Sequence, residues 1–304
     1  MSSLQESSAA MALLKDKLSR YMTIEGIEYG MKFVPRSTDV IISTSPKCGT
    51  TWMQQIVHQL RSGGDMSFAD IDDVVQYIDM AYDLGQDLDA EQKYQPRCFK
   101  THCSYENCAK GAGKYIVVFR EPCAAFYSLF DFFQGRCFKT GEISVHEFVT
   151  DAPTGESSNY FKHILSWWPQ RNDPNVLFLF YEEMLEDLEC SVRAIASFIG
   201  IDDEARIANA VKMSTFDFMK QNQDKFACHS VARARNNIMG FPEETRLQRV
   251  ATGSATKALE MMEECTKLDI QKMWTETIGK ELGVQDYNEF REAWKKYFSV
   301  KQDH

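Results

Sequence analysis

Residues 44–52 read Thr-Ser-Pro-Lys-Cys-Gly-Thr-Thr-Trp. A short polar segment of this kind, set between a strand-length apolar run and an amphipathic helix, gathers backbone N–H groups and the positive helix end around an anion. It is not a nucleoside-triphosphate loop of the Walker type, because the first Gly is absent and its Lys, Lys47, precedes the Gly49-Thr50-Thr51 turn. A reading that needs no ligand is a strand-to-helix turn capped by Thr50 or Thr51. A second candidate is Phe99-Lys100-Thr101-His102. Histidine is the side chain suited to removing a proton at neutral pH, and on an extended strand Lys100 shares the face of His102. Purely structural alternatives are a hydrogen-bonded strand-end histidine for His102, a surface ion pair for Arg120 and plain core for Tyr181.

The elements that must position these residues alternate between strand-length apolar runs and helical patterns, which predicts an α/β fold with a central parallel sheet flanked by helices. The strands expected are Asp39–Thr44, Arg97–Lys100, Lys114–Phe119 and Val176–Tyr181, the last fully buried. Trp52, Met53, Ile56, Val57 and Leu60 recur at helical spacing after the first strand, and Leu185, Leu188, Val192, Ile195 and Ile199 do so after the last. Without an internal repeat or a domain linker, residues 1–304 read as one domain, with about 1–20 and 298–304 expected to fray.

At its loop the sequence resembles the cytosolic sulfotransferase family, whose loop has the form T-x-P-K-x-G-T-T-W and binds 3′-phosphoadenosine 5′-phosphosulfate (PAPS). Further matches follow in the family's order: Phe99 to His102, Arg120 with Ser128 eight residues on, Leu-Phe-Tyr-Glu-Glu at 179–183, and Ser214-Thr215-Phe216. The resemblance implies a phosphate-loop-type sulfotransferase fold and transfer of a sulfuryl group from PAPS to a hydroxyl, less readily an amine, of a small molecule. It makes Lys47, Lys100 and His102 catalytic, with His102 the general base. Donor contacts fall to Lys47, Cys48, Gly49, Thr50, Thr51 and Trp52, to Arg120 and Ser128 at the 3′-phosphate, to Tyr181, and to Ser214 and Phe216 at the adenine. A late R-K-G-x-x-G segment is reduced here to Arg249 and Gly253 within 248–253. Its erosion leaves a catalytically silent nucleotide-binding protein as the alternative. The family's C-terminal dimerisation pattern is not evident, so monomer and homodimer both stay open. Phe130 to Phe138, with Phe132 and Phe133, is expected to line the acceptor pocket.

Composition sets the outer limits. Among 304 residues, 34 Lys and Arg against 44 Asp and Glu give a net charge of −10, which argues against nucleic acid or an anionic membrane as partner. No stretch reaches the roughly 18 apolar residues of a membrane span. Nine cysteines without a C-x-x-C pair suit a reducing compartment, and a cytoplasmic protein is expected. Cys98, His102, Cys103 and Cys108 fit no usual zinc spacing, so no metal is expected. Cys48 reads either as a reactive thiolate favoured by the helix start or as a buried, inert thiol. Nine acidic residues and no Lys or Arg lie between Arg61 and Lys93. They predict a solvated face, or alternatively a negative rim of Asp72, Asp73, Asp79, Asp83 and Asp87 that would draw cationic acceptors.

Overall fold

The computed structural model describes residues 2–150, 156–243, 245, 249, 250 and 257–302. Five strands, β1 (Val40–Thr44), β2 (Gln76–Tyr77), β3 (Cys98–Thr101), β4 (Lys114–Phe119) and β5 (Val176–Phe180), form one parallel sheet in the order β2-β3-β1-β4-β5. Register pairs Ile42 with Lys100 and Ile116, and Val118 with Leu179. The chain leaves β1 toward β2 and β3, then crosses to β4 on the other side of β1. That places the topological switch point at β1, where α/β sheets open a crevice beyond their carboxyl ends.

Side chains alternate across the strands. Val40, Ile42, Cys98, Ile116 and Val118 face one layer, which includes the helices Thr50–Ser62, Leu188–Ile199 and Glu204–Met213. Ile41, Phe99, Tyr115, Val117 and Phe119 face the other, with the helices Pro122–Phe133, Glu156–Trp167, Glu264–Trp274 and Tyr287–Gln302. The result is a single α/β domain with helices on both faces of a parallel sheet. Met11 and Leu14, in the helix Ser2–Ser19, are buried in the second layer.

The structure corrects several local expectations. β3 starts at Cys98, one residue after Arg97, whose side chain forms a buried ion pair with Asp39, 2.6 Å apart. β5 is not fully buried: it is an edge strand, and Val176, Leu177 and Leu179 are only half-buried. Tyr181 opens the next helix instead of closing β5. The second helical stripe breaks at Asp187, which caps the helix Leu188–Ile199 and leaves Leu185 exposed.

Candidate active site

Four of the positions singled out from sequence lie just past carboxyl ends of neighbouring strands: the loop from Ser45 after β1, His102 after β3, Arg120 after β4 and Tyr181 after β5. Parallel pairing brings these ends together, so residues far apart in sequence line one cavity of about 760 Å3. Lys47, Gly49, Thr50, Thr51, Trp52, Lys100, His102, Arg120, Ser128, Tyr181, Phe216 and Arg249 all border it. Cys48 and Ser214 do not, and Gly253 lies outside the described residues.

The loop is shaped by left-handed residues at Lys47 (φ 66°) and Gly49 (φ 99°). Glycine is required at 49 twice over, since a Cβ there would come 2.9 Å from the Tyr181 ring. Gly49 is also the N-cap of the helix Thr50–Ser62 and provides no side-chain cap, so neither Thr50 nor Thr51 plays the capping part. The Thr50 hydroxyl turns inward to that of Thr44, 2.6 Å away. The first-turn amides of a helix lack intrahelical acceptors, which suits a polyanion.

Two cations stand over this loop. Arg120 donates from Nη1 to the Lys47 carbonyl at 2.7 Å and lies 4.3 Å above the Tyr181 ring, while its buried Nε has no partner among the described residues. The Lys47 ammonium lies 4.4 Å from the centre of Phe132. Burial, and then the neighbouring Arg120, lower its pKa to about 8. Among the described residues neither cation has an acidic partner within salt-bridge distance, so both can serve an anionic ligand. Trp52 meets Tyr181 edge-on at 5.4 Å and donates to the Ser214 carbonyl at 2.7 Å, which secures the segment leading to Phe216. Ser214 holds Trp52 through its backbone; its own hydroxyl is buried and has no partner among the described residues.

His102 Nδ1 lies 2.9 Å from the Thr44 carbonyl. A carbonyl oxygen only accepts, so Nδ1 carries the proton and Nε2 keeps the basic lone pair. Burial, reinforced by the Lys100 cation, lowers the His102 pKa to about 4, so the ring is neutral at physiological pH. The His102 amide donates to Asp79 at 2.8 Å and the Thr101 hydroxyl to the same carboxylate at 2.5 Å. Behind β1, His163 Nε2 lies 3.0 Å from the Ser43 hydroxyl, and burial, then His102, lower the His163 pKa to about 3.

Lys100 and Arg249 depart from their expected places. Asp72, with no exposed surface, receives the Lys100 ammonium and the Arg249 guanidinium at 2.7 Å each and the Gln54 amide at 2.9 Å. Burial alone would raise its pKa, but Arg249 and Lys100 hold it well below the ordinary carboxylate range. Lys100 thereby pairs with Asp72 while still bordering the cavity. Arg249 is drawn to the Lys100 wall instead of joining Arg120. A buried carboxylate at this position needs both cations to offset its lost hydration.

The acidic segment is not a rim of the cavity, and it is a solvated face only in part: Asp73, Asp87, Asp89 and Glu91 are exposed. Asp72 and Asp79 are buried, Asp83 pairs with Arg235 at 3.3 Å, Asp73 accepts from Ser230 at 2.6 Å, and of the five only Asp79 borders the cavity. Cys48 is 1% exposed, and burial pushes its thiol up to about 12, which corrects the expectation of a reactive thiolate. Sequence reasoning missed the structural roles of Asp72, Asp79 and His163. The usable signal was context: Asp72 and Asp79 interrupt the apolar run Ile71, Val74, Val75, Ile78 and Met80, and His163 lies among Tyr160, Phe161, Ile164 and Trp167. Polar residues inside such stripes are candidates for buried, bonded groups.

The chain belongs to the sulfotransferase family: it matches that family's sulfotransferase domain over residues 37–248. It is 29% identical to the amine sulfotransferase of Oryctolagus cuniculus over 67% of this chain and 71% of that one, and 29% identical to the luciferin sulfotransferase of Photinus pyralis over 76% and 70%. Its fold is shared with a retinol dehydratase solved with androsterone and the inactive cofactor PAP, at TM-score 0.65 and 20% identity over 90% and 88% of the two chains. Mouse sulfotransferase SULT7A1, complexed with PAP, aligns at TM-score 0.58 and 21% identity over 84% and 90%. The protein is a PAPS-dependent sulfotransferase.

Proposed function

We propose that the cavity binds PAPS along the Lys47–Trp52 loop, with the 3′-phosphate toward Arg120 and Ser128 and the adenine between Trp52, Tyr181 and Phe216. The acceptor is a small, largely apolar molecule bearing a hydroxyl, or less favourably an amine, which occupies the wall of Leu18, Met22, Ile27, Phe132, Phe133 and Met239. The observation that carries this reading is His102 held at Nδ1 by the Thr44 carbonyl, with Nε2 basic, in the same cavity as Lys47, which has no acidic partner among the described residues.

PAPS supplies the sulfuryl group, whose transfer needs in-line positioning and stabilisation of charge on the leaving oxygen. Lys47 provides that charge, and His102 takes the acceptor's proton at Nε2 as the new bond forms. Lys100 acts as a positioning residue: paired with Asp72, it disfavours protonation of His102 and so keeps the base available. The names of the relatives, which include amine, luciferin and retinol, support a small-molecule acceptor. No described helix is long and apolar enough to cross a membrane, and none of the nine cysteines is paired, which supports the cytoplasm as the proposed compartment.

The test is thermal shift with PAP, or with ATP and magnesium, followed by labelled PAPS and a panel of acceptors. Stabilisation by PAP and label transfer to a hydroxyl acceptor are expected. Stabilisation by ATP alone, or absence of transfer to any hydroxyl or amine, would overturn the reading.

A further inference from the structure

Beside Ser128 the cavity wall holds a cation that neither the resemblance nor the site above assigns. The helix Pro122–Phe133 ends in a tight turn at Gly135 (φ 78°), which folds Arg136 back over the last helical turn. Arg136 donates from Nη1 to the Phe132 carbonyl at 2.8 Å, and its guanidinium lies 5.5 Å from the Phe132 ring centre. The same ring carries the Lys47 ammonium. Both cations and Ser128 border a groove of about 290 Å3 continuous with the wall of the main cavity. Asp131 lies on the groove's exposed rim, but among the described residues no carboxylate forms a salt bridge with Arg136. The guanidinium is half-buried, and burial lowers its pKa. A half-buried charge without a counter-ion is costly until an anion joins it.

We propose that Arg136 holds the 3′-phosphate of the donor together with Ser128, supplying the charge that Arg249 directs to Asp72. This rests on reading the cavity as the PAPS site. Ser128 and Phe132 are four residues apart on one helix face, so the serine hydroxyl and the arginine stacked on Phe132 open on the same groove. A planar guanidinium matches phosphate with two parallel hydrogen bonds and keeps its charge at any working pH.

Calorimetry with PAP and with adenosine 5′-monophosphate, which differ only in the 3′-phosphate, isolates that contact. Arg136→Gln is expected to weaken PAP by about ten- to a hundredfold while leaving the monophosphate within about twofold. Arg136→Lys should fall between the two. Unchanged PAP affinity, equal losses for both nucleotides, or a change confined to the acceptor KM would each overturn the proposal. If the wild-type chain itself failed to prefer PAP, the donor reading would fall first, an outcome separable from these.

Discussion

Asp72→Asn removes one negative charge from a carboxylate that serves two buried cations, and its consequences follow from the geometry. In the native protein the two oxygens of Asp72 receive Lys100, Gln54 and Arg249, with Lys100 and Asp72 both essentially inaccessible. An amide offers one acceptor oxygen and turns an N–H toward a cation where a carboxylate oxygen stood, so at least one ammonium or guanidinium loses its counter-ion. Removing one partner of a buried pair costs about 3–5 kcal/mol. At the roughly 2 °C per kcal/mol suited to a chain of this size, the melting temperature should fall by about 6–10 °C. Burial, then Arg249, already lower the pKa of Lys100, and losing Asp72 depresses it further. A lysine with a depressed folded pKa is more easily deprotonated in the folded state, so the deficit should shrink as pH rises through that pKa toward the unfolded value. Urea denaturation of Asp72→Asn, Lys100→Met and the double variant, at pH 7 and 9.5, would measure both effects. The double variant should lose less than the sum of the singles. Additive losses, or Asp72→Asn within about 1 kcal/mol of wild type, would refute the buried charge hub.

Three further outcomes are expected. The kcat/KM for PAPS should fall as pH rises past about 8, because Lys47 loses its charge there; the limb should vanish in Lys47→Arg, and its persistence would assign it elsewhere. Thiol reagents at neutral pH should modify the exposed Cys190 and Cys265 and leave Cys48 untouched with or without PAP; labelling of Cys48 in the folded protein would contradict its placement. A cationic amine should gain nothing over its neutral analogue as part of an acceptor, because Asp72 and Asp79 are buried and Asp83 is paired with Arg235; a preference eroded by salt would restore the negative rim.

The legible part of the site was the part governed by backbone. A strand, a glycine-bearing loop and a helix start have a local sequence signature, so the strand-to-helix loop at Lys47–Trp52 could be placed, as could four of the five strands. The fifth, β2, is two residues long, too short for any periodicity. Side-chain charge pairing was not legible in the same way. Nine acids over 31 residues look solvated by count, yet Asp72 and Asp79 fold inward because their apolar neighbours carry them into the core. Their burial then redirects Lys100 and Arg249, whose expected roles assumed free cations. Cys48 shows the same limit: its position at a helix start left a reactive thiolate and a buried, inert thiol both open, and burial among core residues favours the second.

The central claim is that His102 Nε2 takes the acceptor's proton while playing no part in holding the donor. Single-turnover transfer from labelled PAPS, measured beside PAP affinity in wild type and His102→Ala, tests it most directly. The account predicts a rate lower by about a hundred- to ten-thousandfold, flat in the wild type between about pH 5 and the Lys47 limb near 8 because the His102 pKa is lowered to about 4, and PAP affinity within about twofold of wild type. Transfer by the variant at near wild-type rate, or a loss of PAP affinity that matches the loss of rate, would contradict it.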